Sequence, residues 1–302
     1  MVRAIQDTSD FFSIDCGDEI EIGGRLYRIT GHEKEQRFGI EDPKFWVKRA
    51  TDLESGERKL IKLAYFESFD TTLGGVTIRC YRNPEKEGRV LELMRGHPLF
   101  MQGEVFWDEK RNNIRVLDIV RGSNLYVKIE NLVLDHPTYF ETRLPEILRQ
   151  LIPTFEAIHE LHRKGFRHGD IRNDHIIFET STNNYVWIDF DYDYESPENP
   201  FSLDLFGVGN ILLYVLGMGF HDRYMIAADD RHYKGLIDRI DSNDFSVLHK
   251  SRLVNLKKLY PYIPESLNDI LLHFSNGTPV FYESMDELLD DLRTAASAYC
   301  LA

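Results

Sequence analysis

The stretch FRHGDIRNDHIIFETSTNNYVWIDFDY, residues 166–192, decides the reading of this chain. A helix delivers the chain to a polar loop that contains His168, Asp170 and Arg172. A hairpin then leaves through HIIFE and returns through YVWIDF. Adjacent strands lie about 4.8 Å apart, so the hairpin should bring Asp189 back beside the loop that holds Asp170. Two carboxylates near each other at strand ends make a candidate site for a metal ion and for proton transfer. The competing reading is a pair of solvated loop aspartates.

Upstream, the first third of the chain reads mostly as strands. DEIEI and RLYRI flank Gly23-Gly24, a two-residue hairpin signal. FWVKRATD and ERKLIKLAYF form a second hairpin around residues 53–56, and GEVFWD with NIRVLDIV a third around residues 109–112. Between these, Val90, Leu91 and Met94 recur at helical spacing, which predicts a helix over residues 84–94. After Arg121-Gly122 the pattern changes. Leu144, Ile147, Leu148, Leu151, Ile152, Phe155, Ile158 and Leu161 trace a long amphipathic helix. SLDLFGVGNILLYVLG, from Ser202, is apolar nearly all round and predicts a buried helix stopped by Gly217 and Gly219. Pro264-Glu265 opens another helix that Asn276-Gly277 should close, and Ser284 to Glu287 form a capping box before the last one. The expectation is an α+β chain with a small antiparallel β-rich part, residues 1–121 with a short N-terminal extension, and a larger, mainly helical part, residues 122–302.

Composition narrows the function classes. The chain has 302 residues, 42% of them hydrophobic and 28% charged, enough for a substantial core. Its net charge of −14 disfavours nucleic acid and anionic membrane surfaces, and no long Lys/Arg run offers a local exception. Cys16, Cys80 and Cys300 are too few and too far apart for a disulfide framework or a CxxC metal site, which suits a reducing cytoplasm. The N-terminal residues show no signal-peptide pattern, and the longest apolar run, near Ile211 to Leu216, is too short to span a bilayer.

The central segment and its surroundings resemble the protein kinase-like superfamily, which includes the aminoglycoside and choline kinases. HGD at 168–170 resembles the start of the catalytic loop, and IDFD at 188–191 resembles the metal-binding DFG segment. KLIK at 59–62 resembles the strand that carries the nucleotide lysine, and Glu87 resembles the helix glutamate that pairs with it. LDLFGVGNILLYVLG resembles a buried large-lobe helix, with Asp204 as its aspartate. These matches follow the family's order across roughly residues 25 to 292. The resemblance implies a two-lobed kinase-like fold that moves the γ-phosphate of ATP to a hydroxyl acceptor on a protein or small molecule, using magnesium or alternatively manganese. It implies catalytic roles for Asp170 and Arg172, nucleotide-binding roles for Lys62, Glu87 and Asp189, and metal binding by Asp189.

The departures from the family pattern are specific. Gly31 and Gly39 bracket HEKEQRF with no GxGxxG between them, so Lys34 or Arg37 would have to compensate. His175 stands where the family has a metal-binding asparagine, leaving His175, Asn173 or Asp191 to supply that ligand. Only fifteen positions separate Asp189 from Asp204, with no APE motif, and Tyr282 stands near the place of its arginine partner. Gly169 replaces the arginine of HRD, so control through a phosphorylated activation loop is not expected. These departures support a rival reading, a pseudokinase that binds nucleotide or serves as a scaffold. A zinc site on His159, His162, His168 and His175 lacks HExxH spacing, and DFDYDYE lacks the glycine and glutamate of a calcium loop.

Overall fold

Alternation of period two sets the first sheet. In EIEI, Ile20 and Ile22 are buried while the two glutamates face outward. The computed structural model describes residues 4–37, 40–196 and 198–300, so Gly39, the second glycine of the expected phosphate loop, lies outside the described residues. In chain order the strands and helices through the first hairpins are β1 (Glu19–Ile22), β2 (Arg25–Arg37), β3 (Ile40–Asp52), β4 (Arg58–Lys62), β5 (Ser68–Leu73), β6 (Val76–Arg82), α1 (Pro84–Leu93), β7 (Gly103–Trp107) and β8 (Asn113–Asp118). There follow β9 (Gly122–Asn124), α2 (Leu125–Glu130), α3 (His136–Thr142), α4 (Leu144–Arg163), β10 (Ile176–Glu179), β11 (Asn184–Trp187) and β12 (Tyr192–Glu195). The chain ends through α5 (Ser202–Leu216), α6 (Arg223–Ala228), α7 (Asp230–Tyr233), α8 (Glu265–Leu272) and α9 (Met285–Cys300).

By internal packing the chain divides into two units. One comprises the described parts of 1–68, 81–121 and 188–193, the other those of 69–80, 122–187 and 194–302.

The first unit is a curled antiparallel sheet of six strands in the order β1-β2-β3-β4-β8-β7. Gly23 and Gly24 both have positive φ, 59° and 79°, the backbone that a two-residue hairpin turn with native twist requires. A side chain at Gly23 would also strike the Phe106 ring, so this position is closed to larger residues for two reasons. Irregularities at Ile29/Gly31 and His32/Glu33 break the β2–β3 register. Ile20, Ile22, Tyr27, Ile29, Ile61, Leu63, Ile114 and Val116 form the core on one face. Lys48 is fully buried, but its ammonium donates to the Phe11 and Ile14 carbonyls at 2.7 and 2.6 Å, which fastens the N-terminal turn to β3. Helix α1 starts at Asn83, whose side chain accepts from Lys86 N, with Pro84 in the first turn and Glu85 and Glu87 near its positive end.

In the second unit α4 and α9 pack together, and α5 is buried along nearly all its length, as its apolar sequence requires. Leu144, Leu148, Leu151, Phe155, Ile158 and Leu161 supply the buried stripe of α4. The hairpin β10–β11 continues into β9 as a three-stranded antiparallel sheet, and the Trp187 indole donates to the Thr154 carbonyl of α4 at 2.7 Å. The expected helix from Pro264 stops at Leu272, before Asn276-Gly277. Phe274 N and Ser275 N bond back to Leu271 and Leu272, and Ser275 Oγ donates to Leu272, so the last carbonyls are satisfied early. Among the described residues, no helix is long and apolar enough to cross a membrane.

His136 closes the C-terminal end of α5. Its Nε2–H donates to the Leu216 carbonyl at 2.8 Å, and its Nδ1 accepts from the Tyr262 hydroxyl at 2.7 Å. Burial lowers its pKa from 6.5 to about 4, against a weaker opposing effect of the carbonyl. The ring therefore stays neutral in the folded state while the unfolded chain protonates it below pH 6.5. Stability is thus lost as pH falls from 6.5 toward 4. Urea titrations should show the stability difference between wild type and His136→Gln shrinking by about 2 kcal/mol between pH 7 and pH 5. A difference independent of pH would remove this ring from the acid response.

Candidate functional site

In the first unit β4 and α1 set a buried lysine against a buried glutamate. Lys62 ends β4, and its ammonium donates to Glu87 Oε1 at 2.8 Å. Glu87, the fourth residue of α1, has no exposed surface. Its carboxylate also accepts from Phe190 N at 3.2 Å and from Arg115 Nε at 3.0 Å. The Lys62 ammonium further contacts Asp189 Oδ1 at 2.5 Å and Asp191 Oδ2 at 3.2 Å. Burial alone lowers the pKa of Lys62, but the carboxylates of Asp189, Asp191 and Glu87 outweigh it and raise the value above that of an ordinary lysine. The ammonium is therefore charged across the physiological range.

Asp189 occupies a left-handed backbone conformation with φ 70°. Aspartate tolerates that region better than most residues, and such positions concentrate at functional sites. Lys44 Nζ lies 3.8 Å from its second oxygen, and the side chain is 16% exposed, so the carboxylate is reachable from solvent. Asp191 differs: it is 1% exposed and paired with Arg82 at 2.6 Å as well as with Lys62. The structure thus brings together Lys62, Glu87, Asp189 and Asp191, all singled out in the sequence. It adds Arg115 and Arg82, which sequence reasoning missed. Arg115 carried a signal, because it is the one charged residue inside the apolar run of β8, where every residue before Asp118 is buried. Arg82 carried a fainter one: it falls in the period-two row of Ile78 and Cys80, the buried face of β6, while Arg79 lies on the exposed face.

The second unit holds the loop residues His168, Asp170, Arg172 and His175. Asp204, in the first turn of α5, is fully buried and organises this loop. Its carboxylate accepts from His168 N at 2.7 Å, Gly169 N at 2.9 Å and His162 Nε2 at 2.9 Å. Burial raises the pKa of Asp204, but the His162 bond, the nearby imidazoles and the amide donors prevail and push it down to about 2. Gly169 has φ 90°, the backbone that lets two successive amides turn onto one carboxylate. His168 is fully buried beside the Trp187 ring, and its Nδ1 accepts from Asp170 N at 3.3 Å. His175 donates through Nδ1 to the Asp170 carbonyl at 2.8 Å, which closes the loop from the other side.

The Asp170 carboxylate is therefore held at a loop tied down before and after it, with its side chain 23% exposed. Arg172 forms a bidentate pair with Asp174, at 2.9 and 2.5 Å, and its Nη1 lies 3.9 Å from Asp170 Oδ2. Asp174 is held below the usual carboxylate range, because the neighbouring His175 imidazole and the Arg172 bond outweigh the desolvation of its partial burial. Chemically, this loop presents a carboxylate able to align or accept a proton. The other cluster presents a fixed ammonium and an accessible carboxylate.

No family model matches the chain. It is 29% identical over 96 residues to the putative ribosomal protein S6 kinase alpha-2 of Caenorhabditis elegans, covering 32% of this chain and 12% of that protein. It is 28% identical over 133 residues to the probable serine/threonine-protein kinase fnkB of Dictyostelium discoideum, covering 44% of this chain and 24% of that protein. The chain thus spans at most about a quarter of the length of these relatives. Both are named as protein kinases, and the similarity is a weak, partial homology to such enzymes.

Proposed function

We propose that this chain is an ATP-dependent phosphotransferase that moves the γ-phosphate to a hydroxyl acceptor on a protein or a small molecule. In this reading it is built as a two-lobed kinase-like molecule divided near residues 121 and 122. The observation that carries the reading is the Lys62 ammonium shared between Glu87 and Asp189 within one buried cluster. Phosphoryl transfer asks a protein mainly for positioning and charge stabilisation. Lys62, fixed by Glu87, offers a point charge for the nucleotide phosphates. Asp170 aligns the acceptor hydroxyl and takes its proton at the carboxylate, and Arg172 stands two residues away to stabilise negative charge. Asp189 would hold magnesium through hard carboxylate oxygen at an accessible position, in competition with Lys62 at 2.5 Å, whereas Asp191 is almost wholly buried and paired with Arg82 as well as Lys62. Bound there, the ion supplies charge neutralisation at the phosphates.

A second reading, a pseudokinase, is favoured by one observation. Lys62 already contacts three carboxylates, so phosphates must compete for it. The two readings agree on nucleotide binding and differ on turnover.

Thermal unfolding with and without magnesium and ATP tests the shared part. Ligand stabilisation follows occupancy, at about 2.7 kcal/mol for ligand a hundredfold above Kd. Wild type should therefore melt several degrees higher with nucleotide. Lys62→Met should melt lower than wild type without nucleotide, because buried carboxylates lose a cation, and should lose most of the nucleotide-induced rise. An undiminished rise in Lys62→Met would place the lysine outside the nucleotide site. Phosphate transfer by wild type to any hydroxyl acceptor would then exclude the pseudokinase.

A further inference from the structure

Arg82 ends β6 with its side chain 4% exposed. Its Nη1 donates to Asp191 Oδ2 at 2.6 Å and its Nε to Glu67 Oε1 at 2.5 Å, while the Tyr192 hydroxyl also donates to Glu67. The guanidinium carbon lies 4.2 Å from the centre of the Tyr192 ring and 4.9 Å from that of Trp46, with Tyr65 at 5.8 Å. Trp46 and Tyr65 themselves stack at 4.3 Å. Two carboxylates and three ring faces therefore fix this cation in place. No nucleotide-binding or catalytic role assigned above falls to it.

Its importance lies in the oxygen it shares. Asp191 Oδ2 is 2.6 Å from Arg82 and 3.2 Å from Lys62. Among the described residues, then, two cations meet at one oxygen of a buried carboxylate whose other oxygen has no hydrogen-bond partner. Without Arg82, Lys62 would be the remaining cation against that oxygen. A buried charge attracts its sole counter-charge strongly, so Lys62 would be drawn away from Glu87 and Asp189. We infer that Arg82 is a positioning residue that neutralises Asp191 from within the fold and thereby keeps the Lys62 ammonium on Glu87 and Asp189. The consequence for nucleotide affinity rests on the phosphotransferase reading; the placement of Lys62 does not.

The test compares wild type with Arg82→Met and with Arg82→Met combined with Asp191→Asn. The first measurement needs no nucleotide. The 15N resonance of the Lys62 ammonium, assigned by its absence in Lys62→Met, should move in Arg82→Met and return toward its wild-type position in the double variant. The second is the Kd for magnesium-ATP by calorimetry. It should rise about tenfold in the single variant, within the range of couplings between contacting residues, and recover to within about threefold in the double. If Arg82 served packing alone, emptying its aromatic enclosure would damage both variants equally. An unmoved resonance in Arg82→Met, or a double variant no better than the single by both measurements, would overturn the inference. Should Arg82→Met fail to fold, a folded double variant with the wild-type resonance supports the inference, and a double variant that also fails to fold overturns it. Wild type that binds no magnesium-ATP would sink the nucleotide reading, while the resonance would still decide the role of Arg82.

Discussion

Asp170→Asn is expected to bind magnesium-ATP within a few-fold of wild type and to turn over about 10²–10⁴ times more slowly, the usual contribution of a positioned general base. The substitution is nearly isosteric. It leaves the loop's backbone bonds in place, because His168 Nδ1 and His175 Nδ1 engage the Asp170 amide and carbonyl and not its carboxylate alone. What it removes is the charge that would take the acceptor's proton. A split in which kcat falls and nucleotide Kd holds is the signature, read by steady-state kinetics beside calorimetry. Turnover equal to wild type would take Asp170 out of the mechanism.

Asp204→Ala should cost more stability than replacing any residue of the loop that Asp204 organises from the first turn of α5. Its carboxylate is fully buried and receives two backbone amides and an imidazole. Alanine leaves these donors buried and unsatisfied, at a cost of about 3–5 kcal/mol for a broken buried pair. For a unit of this size that corresponds to a fall in melting temperature of roughly 6–20 °C. Asp204→Asn should lie between, since an amide oxygen can keep an amide donor but not the charge. A scanning calorimetry trace with Asp204→Ala melting within about two degrees of wild type would contradict this account.

Much of the architecture was legible because it rests on short-range signals. Gly23-Gly24 announced its hairpin through a backbone conformation that few other residues adopt. The all-apolar run from Ser202 announced a buried helix, since no solvent-facing stripe was left in it. The hairpin of β5 and β6 went unread because β5 shows no clear alternation, with residues 68–71 all exposed or half-exposed and mixed polar in sequence. Helices α2 and α3 were unread because six or seven residues are too few to show a period; their caps, Asn124 and Asp135, were the available signals. Lys62, Glu87 and Asp189 were picked out by order along the chain, and the structure gathers all three in the first unit. Arg82 and Arg115 each stand as a lone charge on a buried strand face, which marks them as paired, but the partner of a distant charge leaves no trace in spacing.

The buried charges around Lys62 also constrain how this chain can change over generations. Lys62, Arg82 and Arg115 interlock with Glu87, Asp189 and Asp191, and most of these charges answer to more than one opposite neighbour. Loss of any one leaves its neighbours short of a counter-charge in largely buried surroundings. Single mutational steps in this group are therefore steep, and the shallow routes are paired ones, with Arg82 and Asp191 altered together. Drift in this part of the sequence should accordingly proceed in jumps of two, slow against the loops that surround it, and a descendant lineage that had shed one member of the pair would have shed the other.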